Sequence, residues 1–304
     1  MAADAFRTRL AGACELFCSF KPNLNVREAV LSALSFDRVV ITFDYGSRVY
    51  AEFASWPLIA AGYSVTLANT HTAQYFLAPY ADPGTCFFNF SSDPYSVQQV
   101  QLASAIRVMG YSSVSLTSFD ASRVDASSRL YGTVPESVHL TSGDGAVSLM
   151  SGIKNVCYAF TSAAVSKRGL PRLSRVSETL LVEKDVLFEY LSKATESLED
   201  KSSPLLGAEG PFLSAAKCVS FLKSDFKTVS LSKLAYSPPK QQAEIWSSDI
   251  DNELVARIRF QTPSQTKLNV VHFGFDPLSA ALVLPYAVVK AGAEIPFREH
   301  FTPR

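Results

Sequence analysis

Serine hydroxyls are concentrated in two short turns, and each turn follows an apolar segment of the chain. Ser47 closes the turn 44–47, and Ser91, Ser92 and Ser96 lie in a second polar turn. Serine hydroxyls and the N–H groups at a helix N-terminus donate hydrogen bonds to an oxyanion without adding negative charge. The two turns therefore predict a site for a phosphate or related small anion, although serines also fill turns and cap helices where no ligand binds.

Two charged residues accompany these serines. Arg48 directly follows Ser47 and would favour an anion if its side chain points inward. Asp93 lies in the second turn, where a carboxylate within ~4–6 Å of a phosphate would repel it. Pro94 also removes one backbone donor from that turn. We include Arg48 and Asp93 among the ligand-binding candidates, and Asp93 has two alternative roles: capping a helix or accepting hydroxyls of an uncharged or amino sugar.

Acid and base groups are fewer than the hydroxyls. Moving a proton between neighbouring sugar carbons requires a carboxylate or another base, and opening the ring requires a second acid or base. The catalytic candidates are Glu209, in a strand-end loop of the second half, and His300, in the C-terminal tail. A surface charge and a solvated tail residue remain the alternatives for them. No histidine forms a metal-ligand pair at short spacing, so we predict neither a metal nor a cofactor.

Strands alternating with helices must position these residues. In the first half, strands are predicted over Arg38 to Phe43, Ser64 to Ala68, Cys86 to Phe90 and Ser113 to Thr117. In the second half they are predicted over Thr228 to Leu231, Leu254 to Phe260 and Leu268 to Phe273. This alternation predicts parallel sheets with helices on both faces, and ligands bind such sheets where strand ends meet helix N-termini. The predicted organisation is N-terminal helices in 1–36, a first lobe in 37–170, a helical linker in 171–202 and a shorter second lobe in 203–304.

Composition excludes several classes of protein. Of 304 residues, 47% are hydrophobic and 18% charged, and 28 basic residues balance 28 acidic ones. Because no basic run stands out, binding to nucleic acid by phosphate neutralisation is disfavoured. The longest apolar stretch, Ala280 to Val289, is too short to span a bilayer. Five scattered cysteines suit reduced thiols, so we expect a cytoplasmic protein with no membrane partner.

Three segments resemble the sugar-isomerase (SIS) domain family. The turn Tyr45-Gly46-Ser47 resembles the first family loop, and Cys86 to Tyr111 resembles the second, a strand, a serine-rich turn and a helix closing on glycine. The last segment, Pro277 to Arg304, resembles the end of the isomerase half of glucosamine-6-phosphate synthase. The resemblance implies an α/β fold of two doubly wound SIS lobes, each a three-layer α/β/α unit, with a sugar phosphate on the serine turn and a homodimer as the assembly.

The chain departs from the synthase pattern at its catalytic positions. Leu222 stands about where the family glutamate is expected, and its helix carries Lys217 and Lys223 instead. The family's Glu-x-x-His-Gly-Pro segment is replaced by Leu234 to Lys240. Residue 2 is Ala where the synthases have a catalytic Cys, so no glutaminase activity is expected. The resemblance thus implies a phosphosugar-binding protein and an aldose–ketose isomerase, with a catalytically weak or inactive sensor or regulatory subunit, or a purely structural dimer partner, as alternatives.

Overall fold

Two compact units make up the chain in a computed structural model, which describes residues 2–19, 21–118, 137–140, 145–195, 205–222 and 227–292. One unit is Lys21–Leu180. The other combines Met1–Phe20 with Leu181–Arg304, so the first helix belongs to the same unit as the C-terminal half. We refer to them as the central unit and the terminal unit.

Each unit contains one parallel sheet. The strands, in chain order, are β1 (Arg38–Phe43), β2 (Ser64–Asn69), β3 (Thr85–Ser91), β4 (Ser112–Thr117), β5 (Ser137–His139), β6 (Leu205–Ala208), β7 (Lys227–Ser230), β8 (Ala243–Ser247) and β9 (Leu268–His272). In the described residues the central sheet has the order β2-β1-β3-β4-β5 and the terminal sheet the order β7-β6-β8-β9. All of their strand pairs are parallel. The terminal sheet therefore repeats the first four positions of the central sheet.

Helices connect the strands and lie on both sides of the sheets. The α-helices are α1 (Ala2–Ser19), α2 (Leu24–Ala33), α3 (Arg48–Ala60), α4 (Thr70–Thr72), α5 (Val97–Val108), α6 (Gly145–Arg168), α7 (Pro171–Thr179), α8 (Lys184–Thr195), α9 (Gly210–Leu222), α10 (Leu231–Tyr236), α11 (Asn252–Gln261) and α12 (Leu284–Lys290). A π-helical turn covers Ala73–Leu77, and 3₁₀ turns cover Ala78–Tyr80, Asp249–Asp251 and Pro277–Val283. The predicted α/β class, with parallel sheets between helices and a smaller second sheet, is confirmed.

One predicted strand is wrong. Leu254 to Phe260 lies within the helix α11, in which Val255 and Ile258 are buried three residues apart on one face. That spacing is helical, since residues three and four apart share a helix face. The strand of this region is β8, whose five residues are all buried and include Glu244. This charged residue within the strand interrupted the apolar pattern on which the prediction depended.

The centre of the central sheet is formed by β1 and β3. Residues Val39 to Thr42 of β1 and all of β3 are buried, as expected for near-continuous apolar strands covered on both faces. The polar pair between them is satisfied, because Thr42 Oγ1 donates to Asn89 Oδ1 at 2.9 Å across the neighbouring strands.

No helix in the described ranges is long and apolar enough to cross a membrane.

Candidate ligand-binding site

The two predicted serine turns meet at the point where the strand order of the central sheet reverses. From β1 the chain crosses to β2 on one side, and from β3 it crosses to β4 on the other. Ligands of open α/β sheets bind outside the carboxyl ends of the strands at such a switch point. The turn 44–47 follows β1 and leads into α3, and the turn after Ser91 follows β3 and leads into α5. The fold thus brings together two turns that are distant in the sequence.

The carboxylate of Asp44 lies between the two turns and accepts hydrogen bonds from both. Its Oδ2 accepts from Ser92 N at 2.6 Å, from Ser92 Oγ at 2.9 Å and from Ser91 Oγ at 3.2 Å. Its Oδ1 accepts from Ser47 N at 2.8 Å. We call these four donors the serine cradle. The cradle holds an oxyanion, and that oxyanion belongs to the protein itself.

The backbone of the first turn is held independently of this carboxylate. Ser47 Oγ accepts from Asp44 N at 3.1 Å and donates to Phe90 O at 2.8 Å, on the neighbouring strand. Ser47 N also lies 3.2 Å from Asp44 O. Gly46 allows the close approach of the turns, because a Cβ there would lie 2.8 Å from Ser92 Cβ and Oγ. Contacts as short as that do not occur between side chains without a shift.

The other predicted ligand-binding residues lie outside the cradle. Arg48 is exposed, donates to Glu52 Oε1 at 3.0 Å and has its guanidinium carbon 5.7 Å from the centre of the Phe43 ring. Asp93 is exposed, and its Oδ1 accepts from Tyr95 N. Ser96 is the N-cap of α5 and accepts from Gln99 N. Of the six residues, Ser47, Ser91 and Ser92 contact the same carboxylate.

The two catalytic candidates differ in what the structure describes. Glu209 follows β6, and its Oε2 accepts from Ser232 N at 2.9 Å and from Ser232 Oγ at 3.0 Å. Ser232 lies in the first turn of α10, so the carboxylate caps that helix and satisfies one of its free N–H groups. His300 lies outside the described residues.

The terminal sheet carries a related serine turn at its own switch point. Ser247 ends β8 and Ser248 follows it, as Ser91 ends β3 and Ser92 follows it. Ser248 N and Oγ donate to one oxygen, Oδ2 of Asp251, at 2.9 and 3.0 Å. Here the carboxylate comes from three residues further along the same turn, which makes a capping box.

Other titratable groups form no metal-binding cluster in the described residues. No group of three or more His, Cys, Asp or Glu side chains there could hold a metal ion. His272 Nε2 lies 3.1 Å from Asp249 Oδ1 at the carboxyl end of β9, and both side chains are well exposed. Burial, followed by the effect of Cys18, raises the pKa of Cys14 to about 12, so this thiol stays protonated and packs as an apolar group.

Asp44 is the residue that sequence reasoning did not select. A carboxylate is an unexpected neighbour for an anion site, and its contacts with Ser92 cross 48 positions of sequence. The available signal was its position as the first residue after a buried strand, followed two residues later by glycine. A polar residue at that position points from the carboxyl end of the strand into the switch point.

Comparison with solved structures gives the same fold over nearly the whole chain. A protein of Silicibacter pomeroyi, provisionally called a phosphosugar isomerase, matches with a TM-score of 0.62 and 15% identity over 94% of this chain and 96% of that one. Tagatose-6-phosphate ketose/aldose isomerase from Escherichia coli matches with 0.58 and 12% identity over 96% and 93%. The C-terminal domain of glucosamine-fructose-6-phosphate aminotransferase from Francisella tularensis matches with 0.53 and 12% identity over 97% of both chains.

These neighbours define a class of fold. No protein-family model and no curated protein sequence matches the chain. At 12–15% identity the structural likeness shows the fold alone. The chain therefore has the architecture found in phosphosugar isomerases and related sugar-phosphate proteins, and its own activity has to be argued from its own residues.

Proposed function

We propose that this protein binds a phosphorylated sugar through the serine cradle at the switch point of the central sheet, with at most weak aldose–ketose isomerase activity. The observation that carries the proposal is the position of an oxyanion there, bonded by Ser47 N, Ser91 Oγ, Ser92 N and Ser92 Oγ. Two backbone N–H groups and two hydroxyls are the donors that a phosphate ester requires.

The sugar-phosphate class is supported by the fold of the neighbours. Three of them act on, or are named for, phosphorylated sugars: the proteins of Silicibacter pomeroyi and Escherichia coli, and the aminotransferase domain of Francisella tularensis. A switch point is the general ligand position of open parallel sheets, so the cradle and the shared fold point to the same edge of the sheet. We transfer the ligand class to this chain as part of the proposal.

Weak catalysis follows from the position of Glu209. Its carboxylate accepts two hydrogen bonds from Ser232 and caps α10, so it is poorly placed to act as a base in proton transfer. General acid–base catalysis contributes typically about 10²–10⁴-fold, so a Glu209 carboxylate that is held in a helix cap should support little turnover. Binding without robust turnover is the behaviour of a sensor or regulatory subunit.

Calorimetric titration tests the binding. Fructose-6-phosphate and glucosamine-6-phosphate should bind, and unphosphorylated fructose should not, because the cradle recognises the phosphate. In an Asp44→Ala background, from which the Asp44 carboxylate is absent, Ser92→Ala removes one of the cradle hydroxyls and should weaken binding about tenfold, the effect of a charge-assisted hydrogen bond of ~1.4 kcal/mol. Ser32→Ala in the same background is the matched control, because Ser32 is exposed on α2 and its hydroxyl donates to Ala29 O within that helix. Equal affinity for fructose and its phosphate would contradict the proposal.

A coupled assay that follows conversion of fructose-6-phosphate to glucose-6-phosphate tests the catalytic part. We expect little or no turnover by the wild-type protein. Robust turnover that disappears in Glu209→Gln would show that this carboxylate leaves its helix cap and acts as the base. Robust turnover that survives Glu209→Gln would place the base elsewhere and would equally contradict weak catalysis.

A further inference from the structure

The serine cradle is already occupied by a carboxylate of the chain. Each backbone N–H and each hydroxyl of the cradle has one proton to donate, and all four donate to Asp44. A phosphate that used the same donors would have to replace this carboxylate, because the two anions cannot share single protons and would repel each other at this distance. Resting on the proposed function, we propose that Asp44 is an intramolecular competitor that a phosphosugar must displace from the cradle.

A local role for Asp44 does not account for its contacts. An aspartate that bonds the N–H three residues further on stabilises a turn, and the bond from Ser47 N is of that kind. The other three donors come from Ser91 and Ser92, which end the neighbouring strand. A turn needs none of these three bonds. They satisfy the carboxylate as a bound anion would be satisfied.

The carboxylate can leave without dismantling the site. Asp44 is only partly buried, and its neighbour Tyr45 is 91% exposed, so solvent lies next to the turn. The main chain of the turn is held by Ser47, whose hydroxyl bonds Asp44 N and Phe90 O. The helix α5 is capped by Ser96, which does not contact Asp44. Rotation of the Asp44 side chain therefore frees the donors and leaves their positions unchanged.

Ligand selection follows from this competition. A phosphate ester carries up to two negative charges and three terminal oxygens, so it can replace a carboxylate that carries one charge and two oxygens. A neutral sugar hydroxyl cannot, because it offers no charge to the donors. The protein should therefore bind phosphosugars more weakly than the bare cradle would, and it should reject unphosphorylated sugars.

Two substitutions of Asp44 separate occupancy from charge. Asp44→Ala empties the cradle, and we expect it to bind fructose-6-phosphate at least about tenfold more tightly than the wild-type protein in calorimetry. Asp44→Asn removes the charge but keeps a side chain of the same size in the cradle, so its gain should be clearly smaller. If both variants gain the same affinity for fructose-6-phosphate, only charge repulsion has been relieved and displacement is refuted. If the wild-type protein binds fructose-6-phosphate and Asp44→Ala binds it no more tightly, the inference is overturned and the proposed function stays intact. If neither protein binds fructose-6-phosphate, the proposed function fails and the inference fails with it.

The wild-type protein provides a second test, in which a variant serves only to assign one signal. With aspartate labelled by ¹³C at the carboxyl carbon, the Asp44 signal is identified as the one missing from Asp44→Asn. Saturation with fructose-6-phosphate should shift that signal, because the carboxylate exchanges four donors for water. Unphosphorylated fructose at the same concentration should leave the signal in place. Phosphosugar bound with the Asp44 signal unmoved would refute displacement.

Discussion

Lys290→Met tests the buried ion pair of the terminal unit. Glu244 is the second residue of β8, with its side chain 1% exposed, and Lys290 Nζ lies 2.7 Å from its Oε2. Trp246 Nε1 and the Tyr286 hydroxyl donate to Oε1 at 2.7 and 3.1 Å. Burial, and then the charge of Glu244, raise the pKa of Tyr286, so this hydroxyl remains a proton donor. In the variant the carboxylate keeps two neutral donors and loses its ammonium.

The expected loss of free energy of unfolding in Lys290→Met follows from leaving the Glu244 charge buried and without its ammonium partner. Removing one partner of a buried pair costs about 3–5 kcal/mol. Because the Lys290 side chain is 14% exposed and water reaches this end of the pair, we expect the lower value, about 3 kcal/mol. In Glu244→Gln/Lys290→Met the amide oxygen still accepts from Trp246 and no charge is buried. The free energy of unfolding of the double variant should therefore lie within about 1.5 kcal/mol of the wild-type value, since replacing both partners of a buried pair is often nearly neutral.

Urea unfolding followed by tryptophan fluorescence measures these differences. The chain has two tryptophans, Trp56 in the central unit and Trp246 in the terminal unit. In a Trp56→Phe background the signal reports the unit that contains the ion pair, which avoids averaging over two units that need not unfold together. The reasoning is refuted if the free energy of unfolding of Lys290→Met lies within about 1 kcal/mol of that of its parent. It is also refuted if the double variant is as unstable as the single variant.

Two further predictions concern stability. Gly46→Ala should lower the free energy of unfolding by about 1–3 kcal/mol, because the added Cβ would lie 2.8 Å from Ser92. Gly12→Ala is the control and should not destabilise α1, because no atom lies within 4 Å of the added Cβ. Urea unfolding measures both free energies, and equal effects would contradict the close approach of the two turns. Burial raises the pKa of Cys14 from 9.0 to about 12, so above pH 9 the unfolded state loses a proton that the folded state keeps. The free energy of unfolding should then fall with rising pH by about 1.4 kcal/mol per unit more steeply than in Cys14→Ala, and parallel slopes between pH 9 and 10.5 would exclude this linkage.

Local patterns were sufficient for the central sheet. The apolar segments that end at Phe43 and Ser91 are buried on both faces, and such strands are recognisable from composition alone. In the terminal sheet, β8 contains Glu244, which is tolerated because Lys290, 46 positions later, returns to pair with it. That compensation is a long-range contact, and a local window assigned the strand to Leu254–Phe260 instead.

The candidate site shows the same limit. The serines were selected by their type and spacing, and Ser47, Ser91 and Ser92 do face one point. Asp44 was not selected, because the sequence places it next to Ser47 and far from Ser92, and only the parallel register that joins Phe43 to Phe90 makes the two turns neighbours. Arg48 was selected for its charge beside Ser47 and Asp93 for its position in the serine turn, and both side chains have closer partners within their own turn or helix.

The two serine turns of the chain use the same kinds of donor, but the carboxylates that they bind come from different places in the sequence. In both, one serine gives its N–H and its hydroxyl to a single carboxylate oxygen. Asp251 belongs to the turn that it caps and is 5% exposed, so removing it would break the start of its own helical segment. Asp44 reaches the serines from another strand, and α5 is capped by Ser96 without it. The terminal turn is therefore closed by its own cap, whereas the central turn does not need Asp44 to cap its helix, and this difference is why we propose the phosphosugar site at the central sheet.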